Sequence, residues 1–93
     1  MNYQLDFSKN ALKEINIICK LLDSYSESGG HRFLVELSDV VASLERFPLL
    51  GKEVEAEVRK VILHKVKYNV YYKVNESANE VRILSIVYGP HDR

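Results

Sequence analysis

A single cysteine, Cys19, excludes an internal disulfide and leaves no thiol partner for a zinc site. It falls inside a helical pattern, where an unpaired thiol packs as a small hydrophobe in the core or on a helix flank. No apolar run approaches the roughly 18 residues that cross a bilayer, and the opening MNYQLDFSKN lacks the charged-then-apolar layout of a secretory leader, so a cytoplasmic protein without a membrane partner is expected. Thirteen basic residues cancel thirteen acidic ones, and bulk charge therefore selects no partner. There is no nucleophile elbow, no phosphate-cradling glycine loop and no His/Cys/carboxylate set at metal-ligand spacing, which leaves no motif for a classical hydrolase, a metal or a cofactor. Internal repeats and low-complexity tracts are also missing. The 93 residues are expected to form one domain, 1–93, with one core.

What the chain does contain is a β-rich C-terminal half. Tyr68 to Val74 and Val81 to Tyr88 are dense in Val, Ile, Leu and Tyr and are separated by a polar stretch from Asn75 to Glu80, the pattern of a hairpin. Alternation puts Tyr68, Val70, Tyr72 and Val74 on one face of the first strand, opposite Asn69, Tyr71 and Lys73. In the second, Val81, Ile83, Ser85 and Val87 oppose Arg82, Leu84, Ile86 and Tyr88, so both faces carry apolar residues and the strand is expected inside its sheet. From Lys52 to Leu63 the apolar phase slips near Glu57 to Lys60, which predicts a bulge or a loop-to-strand boundary there.

The N-terminal half reads as a short strand and two helices. Tyr3, Leu5 and Phe7 alternate with polar residues, and Ser8 stands at an N-cap position. Leu12, Ile15, Ile18, Cys19, Leu22 and Tyr25 then recur at helical spacing, predicting a helix from about Lys9 to about Ser26. Gly29 and Gly30 break the pattern. A second helix is expected from near His31, with Phe33 or Leu34, Leu37, Val40, Val41, Leu44 and Phe47 as its stripe, ended by Pro48. Each helix has one stripe to bury and the sheet is the available partner, which gives an α+β fold: a helical hairpin on a small antiparallel sheet, in the order βααβββ.

Charge is segregated along the chain. Asp23 to Glu57 holds eight acids against three bases, whereas Arg59 to Asn75 holds Arg59, Lys60, Lys65, Lys67, Lys73 and His64 with no acid. Such a strand is either a solvated sheet edge or a surface for phosphate-rich or acidic partners.

The order of elements, the FPLLG turn at Phe47 to Gly51, VRKVIL at Val58 to Leu63, KYNVYYKV at Lys67 to Val74 and RILSIVYG at Arg82 to Gly89 resemble the RelE/ParE superfamily. These are toxins of bacterial type II toxin-antitoxin modules, also known as plasmid-stabilisation proteins. The resemblance runs from Leu5 to the last strand. It implies a growth-inhibiting toxin, held in a hetero-oligomer by a cognate antitoxin whose tail folds on binding and lays acidic residues against Arg59, Lys60, Lys65, Lys67 and Lys73. Arg82 and Arg93 extend the same candidate surface for antitoxin or target.

The superfamily divides by target. The RelE-like branch resembles ribosome-dependent nucleases acting on mRNA, which need a base for the ribose 2′-hydroxyl, a cation beside the phosphorus and an acid for the leaving oxygen. Arg59, Lys60, His64, Tyr88 and His91 are the groups this chain has to offer. However, Asn69 stands where that branch has an Arg after the Tyr, Gly89 and Pro90 stand where another Arg is usual, and the tail stops at Arg93. Sheet packing for Tyr88, a strand end for His64 and a tail position for His91 are the structural alternatives. The ParE-like branch resembles inhibitors of DNA gyrase that stall the enzyme without catalysis, and the helical hairpin and FPLLG turn are more similar to this branch. A third possibility is a non-toxic domain that homodimerises through Tyr71 and Tyr72 beside Lys73. Arg59 and Lys60 are expected to face solvent on their strand.

Overall fold

The computed structural model describes residues 2–89. Its elements are β1 (Gln4–Phe7), α1 (Lys9–Tyr25), α2 (Gly29–Arg46), β2 (Lys52–Glu55), β3 (Val58–Leu63), β4 (Tyr68–Asn75) and β5 (Glu80–Tyr88). The five strands form one sheet in the order β1-β5-β4-β3-β2. The helical hairpin covers one face of it, as expected, and β5 lies inside the sheet between β1 and β4.

Two features refine the expected order. The phase slip resolves into two strands, because β2 turns back on β3 at Ala56 and Glu57, and the register shifts between Glu53 and Glu55. β1 runs parallel to β5, with Leu5 beside Val81 and Phe7 beside Ile83, so the sheet is mixed. All the intervening elements lie between those two strands in sequence, which is the long crossover a parallel pair requires.

Helix α1 starts where Ser8 predicts. The Ser8 hydroxyl accepts from the Ala11 N–H at 3.0 Å and donates to the Leu84 carbonyl at 2.9 Å. Ala11 and Ile18 of α1 and Phe33, Leu37 and Leu44 of α2 are buried against Leu63, Tyr68, Val70, Tyr72, Val81, Ile83 and Ile86 of the sheet. Each such large apolar side chain contributes on the order of 1.5–3 kcal/mol. Cys19 packs at the edge of this core, and burial, with Asp23 behind it, pushes its thiol above the ordinary value.

The helix stripes are narrower than their periodicity implies. Leu12 is 54% exposed and Tyr25 77%. Phe47, at 58%, has left the stripe because it caps α2 with non-helical backbone, and the Arg46 guanidinium lies over its ring. Gly29 and Gly30, expected between the helices, form the first turn of α2. Both are buried where the helices meet, and the Gly30 N–H donates to Asp23 Oδ1 at 2.8 Å.

Strict alternation fails in β5. Tyr72 pairs with Ile83 but Tyr71 pairs with Ser85, so Leu84 is an extra residue. Val81 and Ile83 face the helices before this bulge, and Ile86 does so after it, which explains why both phases of the strand are apolar. Tyr72 is fully buried, so it cannot serve the homodimer surface predicted for it beside Tyr71.

Candidate functional site

The basic strand is not one surface. Alternation along β3 sends Arg59 toward the helix side with Tyr72, and Lys60 to the outer sheet face with Tyr71. Arg59 Nη1 donates to the Gly51 carbonyl at 2.6 Å and the Leu49 carbonyl at 3.4 Å. The Tyr72 hydroxyl accepts from the Gly51 N–H at 2.7 Å and donates to the Pro48 carbonyl at 2.8 Å. Arg59 and Tyr72 thus latch the FPLLG turn, and Arg59 does not face solvent as expected. Lys60 does not either: it is 7% exposed and flanked in register by Lys52 and Tyr71.

Burial raises the Tyr72 phenol above its ordinary value, opposed by the Gly51 N–H and by the Arg59 charge. These are structural roles. Arg59, one member of the expected target surface, is held at the turn by them.

Lys73 and Arg82 stand directly opposite each other on the outer face, and Arg82 is ion-paired with Asp6 of β1. Tyr71 and Lys60 share this face by alternation. Asn69, where the nuclease branch carries an arginine, is also on this side. It is 6% exposed, and its Oδ1 has no hydrogen-bond partner among the described residues.

His64, Lys65 and Lys67 occupy the turn between β3 and β4 and are exposed. The Glu36 carboxylate anchors this turn to α2 by accepting the Lys65 backbone N–H at 3.2 Å from both oxygens. Tyr88 is 64% exposed at the end of β5, edge-on to Tyr68 at 5.3 Å between ring centroids. His91 and Arg93 lie outside the described residues.

Among the described residues, the groups proposed for phosphodiester chemistry do not converge. Arg59 and Leu63, the strand residue before His64, are separated by four positions of extended chain, about 13 Å. Tyr88 pairs with Tyr68, four positions along β4 from the Tyr72 that faces Arg59. Among the described residues no group of three or more His, Cys, Asp or Glu side chains is placed to hold a metal ion.

The fold does assemble a cluster that sequence reading dispersed. Tyr25 at the end of α1 and Leu21 one turn earlier meet Tyr68 and Tyr88 around an apolar cup of about 400 Å³. Beside it, a groove runs past Gly29 to Val66, and its charged lining residues are Arg32, Lys65 and Lys67. Burial, then the neighbouring Tyr88 and Tyr25, raise the Tyr68 phenol above its ordinary value. Tyr25 read as helix stripe and Arg32 as wet helix face. No local signal joins them to Lys67, because the α1–α2 junction and the β3–β4 turn are far apart in the chain and meet only when the helices pack on the sheet.

Residues 5–92 match the family described as the ParE toxin of the type II toxin-antitoxin system parDE. The fold is similar to that of the isolated E. coli RelE toxin, with a TM-score of 0.72 and 20% identity over 98% of this chain and 88% of that one. It is similar to RelBE2 in a toxin-antitoxin complex from Mycobacterium tuberculosis, with a TM-score of 0.72 and 18% identity over 96% and 100% of the two chains. A chromosomal ParDE system from P. aeruginosa gives a TM-score of 0.66 and 16% identity over 92% and 95%. No curated protein matches the chain in sequence.

Proposed function

Because the chain belongs to the ParE toxin family of type II toxin-antitoxin systems, we propose that it stops growth by binding DNA gyrase, without catalysing a reaction, and that a cognate antitoxin neutralises it. The observation that carries this reading is the fate of Arg59. The cation best suited to polarise a phosphate is spent on the Gly51 and Leu49 carbonyls, far along the strand from His64 and Tyr88. A nuclease needs its cation, base and acid around one phosphate. A protein that stalls a target needs only a complementary surface, and the outer sheet face around Lys73, Arg82 and Tyr71 is the surface we assign to it.

The second reading is a ribosome-dependent mRNA interferase. It is favoured by the isolated RelE toxin and the RelBE2 complex, whose TM-scores of 0.72 exceed the 0.66 of the ParDE neighbour. Induced expression in a bacterial host, with labelled thymidine and labelled methionine followed in parallel, separates the two. DNA synthesis failing first, with an SOS response, is the expected result. Translation failing first, with mRNA cut at codon boundaries, would replace this reading with the second.

A further inference from the structure

We propose that β2 is a self-recognition edge, through which two copies of the chain pair antiparallel about a two-fold axis and join their sheets. β2 stands last in the strand order, so its backbone is paired with β3 on one side only. All four of its residues, Lys52 to Glu55, are exposed. The FPLLG turn that leads into it presents Leu49 and Leu50 at 52% and 56% exposure. Arg59 and Tyr72 latch that turn, so the leucines are offered in a fixed place and lose little freedom when they are covered.

The charges along β2 decide what covers it. Edge strands are ordinarily kept from pairing by charge and by bulges, and β2 carries both. Its charges, however, are of both signs, and the bulge changes where they stand. Val54 is the extra residue between Glu53, which pairs with Arg59, and Glu55, which pairs with Val58. Lys52 pairs with Lys60. Val58 and Lys60 are two apart on β3, so Lys52 and Glu55 share the outer face although three positions separate them. In a regular strand they would lie on opposite faces.

A second copy is therefore the complement of this edge. Turned by the two-fold, it sets its own Glu55 opposite Lys52 and its own Lys52 opposite Glu55. Both pairs fall on the outer face, as residues facing across a ladder must, and Glu53 and Val54 stand opposite each other between them. Parallel pairing would instead set Lys52 against Lys52 and Glu55 against Glu55. Continued outward, the antiparallel register carries Leu50 of each copy to the exposed turn at Ala56 and Glu57 of the other. The contact is isologous and occupies the β2 edge of both copies, so assembly closes at two. Edges of four residues place it among the small, weak interfaces, below about 1,200 Å² in all.

Sedimentation equilibrium of the full chain, from about 1 µM to about 500 µM, is the test. The expected result is a mass that rises from 10.7 kDa toward twice that value and no further. Lys52→Glu alone and Glu55→Lys alone each set like charges across both pairs, and each is expected to weaken the dimer about tenfold or more. The double variant Lys52→Glu with Glu55→Lys restores opposite charges with their places exchanged, and is expected to recover the dimer. Both positions are exposed, and unchanged melting temperatures would verify that the fold is intact. A wild type that stays at 10.7 kDa, or that grows beyond two copies, overturns the proposal. So do single variants as tight as wild type, or a double variant no tighter than the single ones, because association through another surface would not follow the exchange of charges. None of these readings depends on what the chain does to a host cell.

Discussion

Glu14 reaches from the second turn of α1 to accept the backbone N–H of Ile86 at 2.8 Å. β1 stops at Phe7, beside Ile83, so β5 continues past its parallel neighbour with an unpaired edge. Side chains from α1 take the place of the missing strand. Ser8 donates to the Leu84 carbonyl at the bulge, and Glu14 acts as the carbonyl that Ile86 would otherwise bond. Glu14→Ala should therefore cost about 1–3 kcal/mol by leaving a part-buried N–H without an acceptor. Glu14→Gln, which keeps an acceptor oxygen, should cost less. Urea unfolding measures the difference, and faster hydrogen exchange at the Ile86 amide locates it. Equal stability of the Ala variant would mean that water serves the N–H as well as the carboxylate does.

Tyr72→Phe removes one oxygen that serves two backbone groups, the Gly51 N–H and the Pro48 carbonyl. Gly51 is buried, so the loss should be about 1–3 kcal/mol, despite the better solvation match of phenylalanine to the core. The tyrosine also sets a pH dependence. Its folded-state value is raised, chiefly by burial, so the unfolded chain ionises first. Tyr68 behaves in the same direction. The stability they contribute is complete below the unfolded phenol value near pH 10 and is lost as pH rises through the folded one. Chemical denaturation should show wild-type stability falling above about pH 10, and Tyr72→Phe should flatten part of that fall.

Gly29→Ala should be more damaging than Gly30→Ala. A Cβ at Gly29 would stand 2.3 Å from the Leu22 carbonyl oxygen and 2.8 Å from its carbon, both backbone atoms of α1. Only separation of the helices relieves that clash. At Gly30 the nearest atom is Asp23 Oδ1 at 2.8 Å, a side chain that rotates away at the loss of its bond to the Gly30 N–H. Overpacking of this kind costs about 1–3 kcal/mol, or a fall in Tm on the order of 10 °C in a chain of this size. A smaller loss for Gly29→Ala than for Gly30→Ala would contradict the helix-crossing geometry.

Periodicity revealed the αα-hairpin, the β4–β5 hairpin and the Ser8 cap because each is written in residues close together in the chain. It could not reveal the bulge at Leu84, since Ile83, Leu84 and Ile86 satisfy either phase of the strand. Gly29 and Gly30 look alike as a chain break and as a helix crossing, and only the position of Leu22 decides between them. The fate of Arg59 depends on the register of β3 against β4 and on where the FPLLG turn folds back, which are long-range facts. The tyrosine cup depends on three segments at once, and nothing in any one of them announces the other two.

Arg59 and Lys73 separate what a charge reversal does to the fold from what it does to function. Arg59→Glu places a carboxylate against the Gly51 and Leu49 carbonyls and removes their donor, and losing a charged hydrogen bond costs about 1.5–3 kcal/mol before repulsion is added. Loss of growth arrest in that variant would report an unfolded turn. Lys73 is exposed and faces Arg82 across the strands, an unfavourable like-charge pair. Lys73→Glu turns this pair into an attractive one, worth about 0.2–1 kcal/mol, so the variant should melt no lower than wild type. With folding secured, its phenotype reads the surface directly. We expect Lys73→Glu to be folded and to have lost growth arrest, because the outer sheet face is the surface we assign to the target. Arrest at wild-type strength by a folded Lys73→Glu protein would remove that face from the interaction.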